Sequence, residues 1–504
     1  MANLIVAMLY LFSNNLKSFI SRYGFVSILA MAVLIRFIRL PYAFYGTTGE
    51  LYRDLSVLYD FLFLRIWPLL GPVSSFGGLS FGAIYYYLLA PFYWLFHYSP
   101  QGLVFASGFF SVGGVVLSYF LLKAWLNNKY AALLGMLLLC FSLYDIQNSY
   151  YISNPTLLPF FLLWFFYSLT LIMQNGVRFR YVAGLAISFG IATQLHSTAM
   201  VVLPVILLWL LLQKKIALNW KQYIIMVFTN VVLYFPFLFF EVTHDFENFR
   251  RLLALGGHNF SLFIKAQSAA SIVLFWSRSV IFQNSFVDLS QSHPWVYYLL
   301  LPWPILFLLG VLFFLRRVKP INRLPLHLAY PGKMLLFLWI SISTLMFLFF
   351  QPYIQHFYFL VLWPAPILLL VGGLWWLRQN SAKLFIIGVI VFLSLQLVQL
   401  FYFYPVITHK QFGFSNMIYL FRQIQNDAGA DTFKIINKSF DINLFVYYSK
   451  ILQLPGRAQN KAQVLYLIYE PNSTESLRMD PAGYQYLQVL EIGGFSIDKY
   501  ILLK

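Results

Sequence analysis

Along the chain, apolar runs of roughly 20 residues, the length an α-helix needs to cross a hydrocarbon core, alternate with short polar or basic breaks. The runs fall at 23–40, 102–122, 130–145, 155–173, 181–195, 197–213, 222–240, 295–315, 334–350, 357–377 and 384–404. They predict about 11 transmembrane helices. Residues 82–98 are apolar enough to be a further span, but counting them would move every later basic break across the membrane. They are therefore predicted to be juxtamembrane or re-entrant. The first dozen residues are apolar with no basic stretch ahead of them, which predicts an interfacial helix rather than a cleaved signal.

The pattern changes near residue 410. Gly, Asn, Asp and Lys become frequent, and half of the chain's acids fall in its last fifth. Residues 433–436, 464–469 and 500–503 have the β-rich pattern of strands, and 415–425 reads as an amphipathic helix. The expected organisation is a transmembrane module over 1–410, whose first outer loop at 41–101 carries the chemistry, followed by a small α/β domain over 411–504. No period of 20 to 50 residues is present, which argues against a repeat architecture.

Composition agrees with lipid as the solvent: 61% of residues are hydrophobic and only 10% charged, against about 25% charged in soluble chains. The net charge of +18 is no sign of nucleic-acid binding, because the basic residues cluster in the breaks between spans. These clusters are Lys17 and Arg22, Lys123 and Lys129, Arg178 and Arg180, Lys214 to Lys221, Arg316 to Lys333, and Arg378 with Lys383. Positive charge marks the cytoplasmic side. The acids ahead of residue 411 are an independent check: Glu50, Asp54, Asp60, Asp145, Glu241, Asp245, Glu247 and Asp288 all avoid those clusters. Arg250, Arg251, Lys265 and Arg278 are exceptions, in the long outer loop 241–294. An odd number of spans then leaves the N-terminus cytoplasmic and the C-terminal domain extracytoplasmic, in a multi-pass protein of a bacterial plasma (inner) membrane. The lone Cys140 excludes a disulfide and a Cys-based metal site.

Candidate chemistry lies among the outer acids. In Gly49-Glu50-Leu51-Tyr52-Arg53-Asp54, a helix would bring Glu50, Arg53 and Asp54 to one face. One carboxylate could act as base while the guanidinium holds a phosphate. The plainer reading is a solvated ion pair on a loop helix. His196, His244 and His356 fall at outer span ends, as stabilisers of a leaving phosphate or as interface residues. Tyr85, Tyr86 and Tyr87 are candidates to stack on a sugar, or members of an interfacial aromatic girdle. No Gly-rich loop suited to a nucleotide donor is present.

Several motifs occur in a telling order. They are Leu34-Ile35-Arg36-Phe37-Ile38-Arg39-Leu40, Gly49 to Asp54, Pro68-Leu69-Leu70-Gly71, Gly82 to Tyr87, Asn154-Pro155, Gln194-Leu195-His196 and Pro236 to His244. In that order, over most of 23–410, the chain resembles the GT-C glycosyltransferases related to protein O-mannosyltransferases and lipid A aminoarabinose transferases. The resemblance implies an all-α polytopic GT-C fold with juxtamembrane helices over a cavity. It implies transfer of a sugar from a polyprenyl-phosphate donor in the bilayer to an extracytoplasmic glycan, lipid or protein acceptor, with inversion at the anomeric carbon. Carried over, these roles fall on Glu50, which meets the acceptor, and Arg53, near the lipid phosphate. Beside them, Asp54 is a second catalytic candidate, His196 and His356 are further candidates at the donor phosphate, and Tyr85, Tyr86, Asn154, Glu241 and His244 are candidates for the substrate cavity.

The chain also departs from the family. Many relatives open the first cluster with Asp, and the aminoarabinose transferases have Asp-Pro where this chain has Asn154-Pro155, which leaves Asp54 or Asp145 to supply a second carboxylate. No cofactor is predicted, and divalent-metal dependence is left open. Two other functions fit a polytopic chain. A lipid-linked saccharide transporter or flippase should show internal repeats and charged midplane residues, which the sequence lacks; an inactive GT-C-like scaffold differs only in turnover.

Overall fold

The computed structural model describes residues 20, 22–40, 49–74, 78–256, 331–349, 356–408, 414–428, 433–437, 464–469, 484–492 and 495–502. The predicted N-terminal interfacial helix and the span at 295–315 lie outside the described residues. In chain order the helices begin with α1 (residues 22–37) and α2 (Gly49–Phe63). A short antiparallel hairpin of β1 (Leu70–Val73) and β2 (Ser80–Gly82) leads into α3 (Ile84–Leu95). Then follow α4 (Gln101–Leu126), α5 (Lys129–Cys140), α6 (Leu143–Tyr150), a 3-10 turn (Asn154–Leu157), α7 (Leu158–Asn175), α8 (Phe179–Leu195), α9 (Ser197–Leu212), α10 (Trp220–Thr243) and α11 (Glu247–Gly256). After the undescribed stretch come α12 (Pro331–Phe349), a second 3-10 turn (His356–Val361), α13 (Ala365–Asn380), α14 (Ala382–Thr408) and α15 (Phe414–Ala428). Strands β3 (Phe433–Asn437), β4 (Val464–Tyr469), β5 (Tyr484–Ile492) and β6 (Phe495–Leu502) close the chain.

Among the described residues five helices are long and apolar enough to cross a membrane: α4, the 3-10 turn with α7, α10, α12 and α14. Counting α5 and α6 as one broken span makes six. α10 leaves Phe228, Val232, Phe235 and Val242 more than half exposed, an apolar surface that lipid covers and water would not tolerate at this extent. The protein is an integral, multi-pass membrane protein.

Several expected spans take a different form. The run at 130–145 is not one helix: α5 stops at Cys140, Ser142 caps α6 with its Oγ on the Asp145 N–H, and the axis bends by 53°. A serine side chain competes with the helical ladder for backbone N–H groups, so it starts a new helix more readily than it continues one. The run at 357–377 begins as a 3-10 turn and becomes α-helical only at Ala365, where Pro364 and Pro366 suit a helix start but would remove N–H donors from a helix interior. The stretch 82–98, expected to be juxtamembrane or re-entrant, holds the 12 residues of α3, which reach about 18 Å, short of a core of about 30 Å.

The chain divides into two compact units. The first comprises Met1–Leu40, Pro68–Leu88 and Val104–Ile407. Within it α7 packs on α8, α8 on α9 and α10, α12 on α9, and α13 on α5. Aromatic side chains fill the core: Phe161, Phe165, Phe166, Trp339 and Trp363 are fully buried, and the Phe166 and Trp339 rings stack 4.2 Å apart. Gly190 sets the α8–α10 distance, since a Cβ there would lie 2.5 Å from Asn230 Oδ1 and 2.8 Å from Leu233 Cδ1. Close backbone approach at small residues is how helices gain contact in a solvent as apolar as their side chains.

The second unit comprises Pro41–Trp67, Leu89–Leu103 and Thr408–Lys504. Its sheet has the order β3-β4-β6-β5, with β3 and β4 parallel and the other pairs antiparallel. β3, β4 and α15 fall where strands and a helix were expected; β5 was not anticipated. α15 buries Leu420 and Ile424, four residues apart on one stripe, and the sheet buries Tyr466, Ile497 and Tyr500. Asp427, near the end of α15, accepts from Tyr466 Oη at 2.6 Å and pairs with Lys499 Nζ at 2.7 Å. Burial alone would raise the Asp427 carboxyl, but the Lys499 and Tyr466 hydrogen bonds and the Lys499 charge outweigh it and hold the group below its usual value.

Candidate functional site

In the second unit, α2 carries the first outer-loop cluster. Its backbone places Glu50, Arg53 and Asp54 at helical spacings of three and four. Arg53 Nε and Nη2 both donate to Asp54 Oδ1 at 2.9 Å. The Asp54 side chain is 2% exposed and that of Arg53 is 32% exposed. A carboxylate this covered is not part of a solvated loop face: it holds a half-exposed guanidinium in one orientation.

In the first unit, the polar residues gather at the break between α8 and α9. His196 ends α8 with extended backbone and caps α9, its Nδ1 accepting the Thr198 N–H at 3.3 Å and lying 2.9 Å from Thr198 Oγ1. Accepting at Nδ1 requires that nitrogen to be unprotonated, which puts the ring proton on Nε2. The ring is buried among Phe81 of β2 and Phe357 and Tyr358 of the second 3-10 turn, at centroid distances of 5.8, 6.0 and 4.9 Å. With Nδ1 spent on the α9 cap, Nε2–H is the donor left to His196, the residue expected as a further candidate at the donor phosphate. His356 opens the same 3-10 turn that supplies Phe357 and Tyr358.

Asn154 donates its Nδ2 to the Leu195 carbonyl, tying the first 3-10 turn to the residue before His196. The neighbouring Ser153 Oγ is buried without a partner among the described residues. Gln194, which sequence reasoning used only as a motif letter, is 1% exposed. Its Nε2 donates to the carbonyls of Gly190 and Leu233, while Oε1 has no partner among the described residues. A side chain at Gly82 would run into this amide, so only glycine lets β2 approach. A buried acceptor without a donor calls for a ligand hydroxyl or a water.

The remaining predicted residues hold this arrangement together. Glu241, buried near the end of α10, accepts from Asn248 N and Nδ2 at 3.3 and 2.9 Å and from Phe249 N at 3.1 Å. Asn248 Oδ1 in turn accepts the Ser80 N–H at 3.0 Å, and Arg251 donates to the Gly78 carbonyl at 2.9 Å. Glu241 therefore braces the start of α11 against the hairpin that presents Phe81 to His196. His244 is exposed; it ends α10, its ring stacked 4.0 Å from Phe240 and its Nδ1 3.1 Å from the Phe240 carbonyl. Tyr85 and Tyr86 are 1% and 2% exposed, side by side on α3, which makes them core rather than an interfacial girdle. Tyr87 Oη donates to the Pro68 carbonyl at 2.7 Å.

A buried ion pair went unseen in the sequence. Arg36 of α1 is 1% exposed and its Nη2 lies 2.5 Å from Asp145 Oδ2; Ser111 Oγ donates to the same oxygen at 2.5 Å. Arg36 Nη1 and Nη2 also donate to the carbonyls of Cys140 and Leu139 at the end of α5. Trp363 Nε1 donates to Asp145 Oδ1 at 3.4 Å. Asp145 thus ties α1, α4 and the second 3-10 turn's neighbour Trp363 to the α5–α6 bend. The available signal was one acid, Asp145, at the end of an apolar run and an arginine pair, Arg36 and Arg39, in another. Among the described residues no group of three or more His, Cys, Asp or Glu side chains is placed to hold a metal ion.

No protein-family model and no curated protein matches this sequence. Solved structures do match. ArnT from Cupriavidus metallidurans bound to undecaprenyl phosphate superposes with a TM-score of 0.58 at 12% identity, over 95% of this chain and 98% of that one. The apo state of the same transferase gives 0.58 at 11% identity, over 94% and 97%. The chain has a GT-C fold. At that identity the likeness is one of architecture, spanning nearly the whole of both chains.

Proposed function

We propose that this GT-C protein is a glycosyltransferase that moves a sugar from a polyprenyl-phosphate donor to an acceptor on the extracytoplasmic face, with inversion. The observation that carries the reading is the full-length fold likeness to a transferase crystallised with undecaprenyl phosphate. A polyprenyl-phosphate sugar is already activated, so the protein needs a base for the acceptor, a counter-charge for the departing phosphate and correct placement of both. In this reading the acceptor hydroxyl loses its proton to Glu50 as its oxygen bonds to the anomeric carbon. The anomeric C–O bond to phosphate breaks, and polyprenyl phosphate leaves with its charge balanced by Arg53. Asp54 orients Arg53 through the 2.9 Å contact. Within the first unit, His196 Nε2–H can donate to an oxygen and Gln194 Oε1 can accept from a hydroxyl.

Sidedness follows from the charge pattern: basic breaks cytoplasmic, α2 and the C-terminal sheet outside. Residues 411–504 then form an outer α/β domain, and the membrane is a bacterial inner membrane. The test is a turnover assay of the purified full chain against a panel of polyprenyl-phosphate sugars, with inversion read from the anomeric configuration of the product. Release of polyprenyl phosphate coupled to acceptor glycosylation is expected. Binding without turnover across the panel would instead favour a scaffold.

A further inference from the structure

Away from the α8–α9 break, the first unit holds a groove of about 920 Å³ between the start of α1, the start of α5 and the α13–α14 turn. That volume lies within the roughly 300–1,000 Å³ of ligand pockets. Its walls are mostly apolar, with Ile28, Leu133, Leu137 and Ile386 among them, and Ser27, Tyr130 and Arg378 are the polar lining. The Arg378 guanidinium lies 4.5 Å from the Trp375 ring centroid and 5.8 Å from that of Phe385. Cation–π contacts of this kind hold the group in place without neutralising it.

Three further cations flank the lining in sequence: Arg22 just after Ile20, Lys129 beside Tyr130, and Lys383 beside Ala382. Among the described residues no acid lines the groove and Arg378 has no carboxylate partner. A lone exposed arginine is ordinarily just solvated. Here an apolar trough adjoins it, and α14 exposes Ile386, Ile387 and Ile390 beside that trough, so the groove is accessible from hydrocarbon. Apolar walls with a basic end match an amphiphile with one anionic head.

We infer that this groove binds an anionic phospholipid of the cytoplasmic leaflet, its acyl chain along the apolar walls and its phosphate at Arg378. Basic pockets between membrane helices on that side are known to take such head groups. The site is distinct from the candidate functional site. Arg378 stands near the C-terminal end of α13, whereas the Tyr358 contact with His196 precedes the N-terminal end, and 13 residues from Ala365 to Arg378 rise about 20 Å.

The experiment is native mass spectrometry of the delipidated full chain, re-exposed to phosphatidylglycerol or to phosphatidylcholine with the same acyl chains. Retention of phosphatidylglycerol is expected to exceed that of phosphatidylcholine about tenfold, and Arg378→Gln to lower it about fivefold. Leu133→Trp, which fills the trough, should abolish retention of both lipids while the chain elutes as a monodisperse species. Equal retention of the two lipids, full retention by Arg378→Gln, or displacement by glycerol phosphate as effective as by the intact lipid would each overturn the inference.

Discussion

Replacing Asp145 by asparagine is expected to unfold the α5–α6 bend before any other part of the membrane unit. The Arg36 and Asp145 side chains are 0% and 8% exposed. Asparagine keeps the size of aspartate and one acceptor oxygen, so Ser111 or Trp363 can stay bonded. It removes the charge that neutralises Arg36, and an uncompensated buried charge costs about 3–5 kcal/mol. Because one acceptor survives, the expected loss is about 3 kcal/mol. Arg36→Met with Asp145→Leu removes both charges. It leaves no buried charge, although the Leu139 and Cys140 carbonyls lose donors and Ser111 Oγ and Trp363 Nε1 lose an acceptor, each unpaired group costing about 1–3 kcal/mol. In a cycle with Arg36→Met and Asp145→Leu as the single variants, the double variant should lose less than the sum of the two by about 2 kcal/mol or more, because each single change strands one buried charge and the double strands none. Denaturant unfolding in mixed micelles measures it. Single-variant losses below about 1 kcal/mol that simply add would show that the pair is better hydrated than the structure implies. α6 runs within three residues into the turn that carries Asn154, so the same variant should also loosen the Asn154–Leu195 contact and lower turnover.

Three other outcomes follow from the geometry. Arg53→Ala should weaken use of a polyprenyl-phosphate sugar by about 2 kcal/mol in kcat/KM, with Arg53→Lys recovering only part, because lysine lacks the planar fork; wild-type kcat/KM in Arg53→Ala would assign the phosphate elsewhere. His196→Asn retains an acceptor able to cap α9 but loses the Nε2–H, so turnover should drop about tenfold at unchanged stability, whereas His196→Ala should lose about 1 kcal/mol of stability as well. Equal turnover in His196→Asn and wild type would leave the ring as a cap alone. A cysteine at Asn416 should react with an impermeant thiol reagent from the extracytoplasmic side and one at Asn380 should not; reversed labelling would invert the topology.

The membrane architecture was legible because hydrocarbon imposes a length and a composition on every span, and α4, α7, α10, α12 and α14 obey both. The breaks were harder to read. Whether Ser142 or Pro364 ends a helix depends on what takes up the freed backbone groups, and those partners, such as Arg36 for the Leu139 and Cys140 carbonyls, lie about a hundred residues away. The motifs pointed to Asn154, His196 and the His356 turn, which the fold does bring to one place. Their tasks were not readable: that Nδ1 of His196 is spent on a cap follows only from the extended backbone at the α8–α9 break. The bracing part of Glu241 was not readable either, because it depends on Asn248 and the distant hairpin. Gln194 has no chemistry of its own to flag it; its significance comes from Gly82 pressing on a buried amide.

The central claim is that Glu50 acts as the base in sugar transfer from a polyprenyl phosphate. The decisive measurement is the single-turnover rate of the full chain in bilayers, saturated with donor and acceptor, for wild type, Glu50→Gln and Asp54→Asn. Glutamine keeps the shape of Glu50 but cannot take a proton, so the rate should fall about 100-fold or more with donor affinity little changed, and Asp54→Asn, which only loosens Arg53, should fall less. Wild-type rates in Glu50→Gln, Asp54→Asn and the double variant would contradict the account and remove the chemistry from α2.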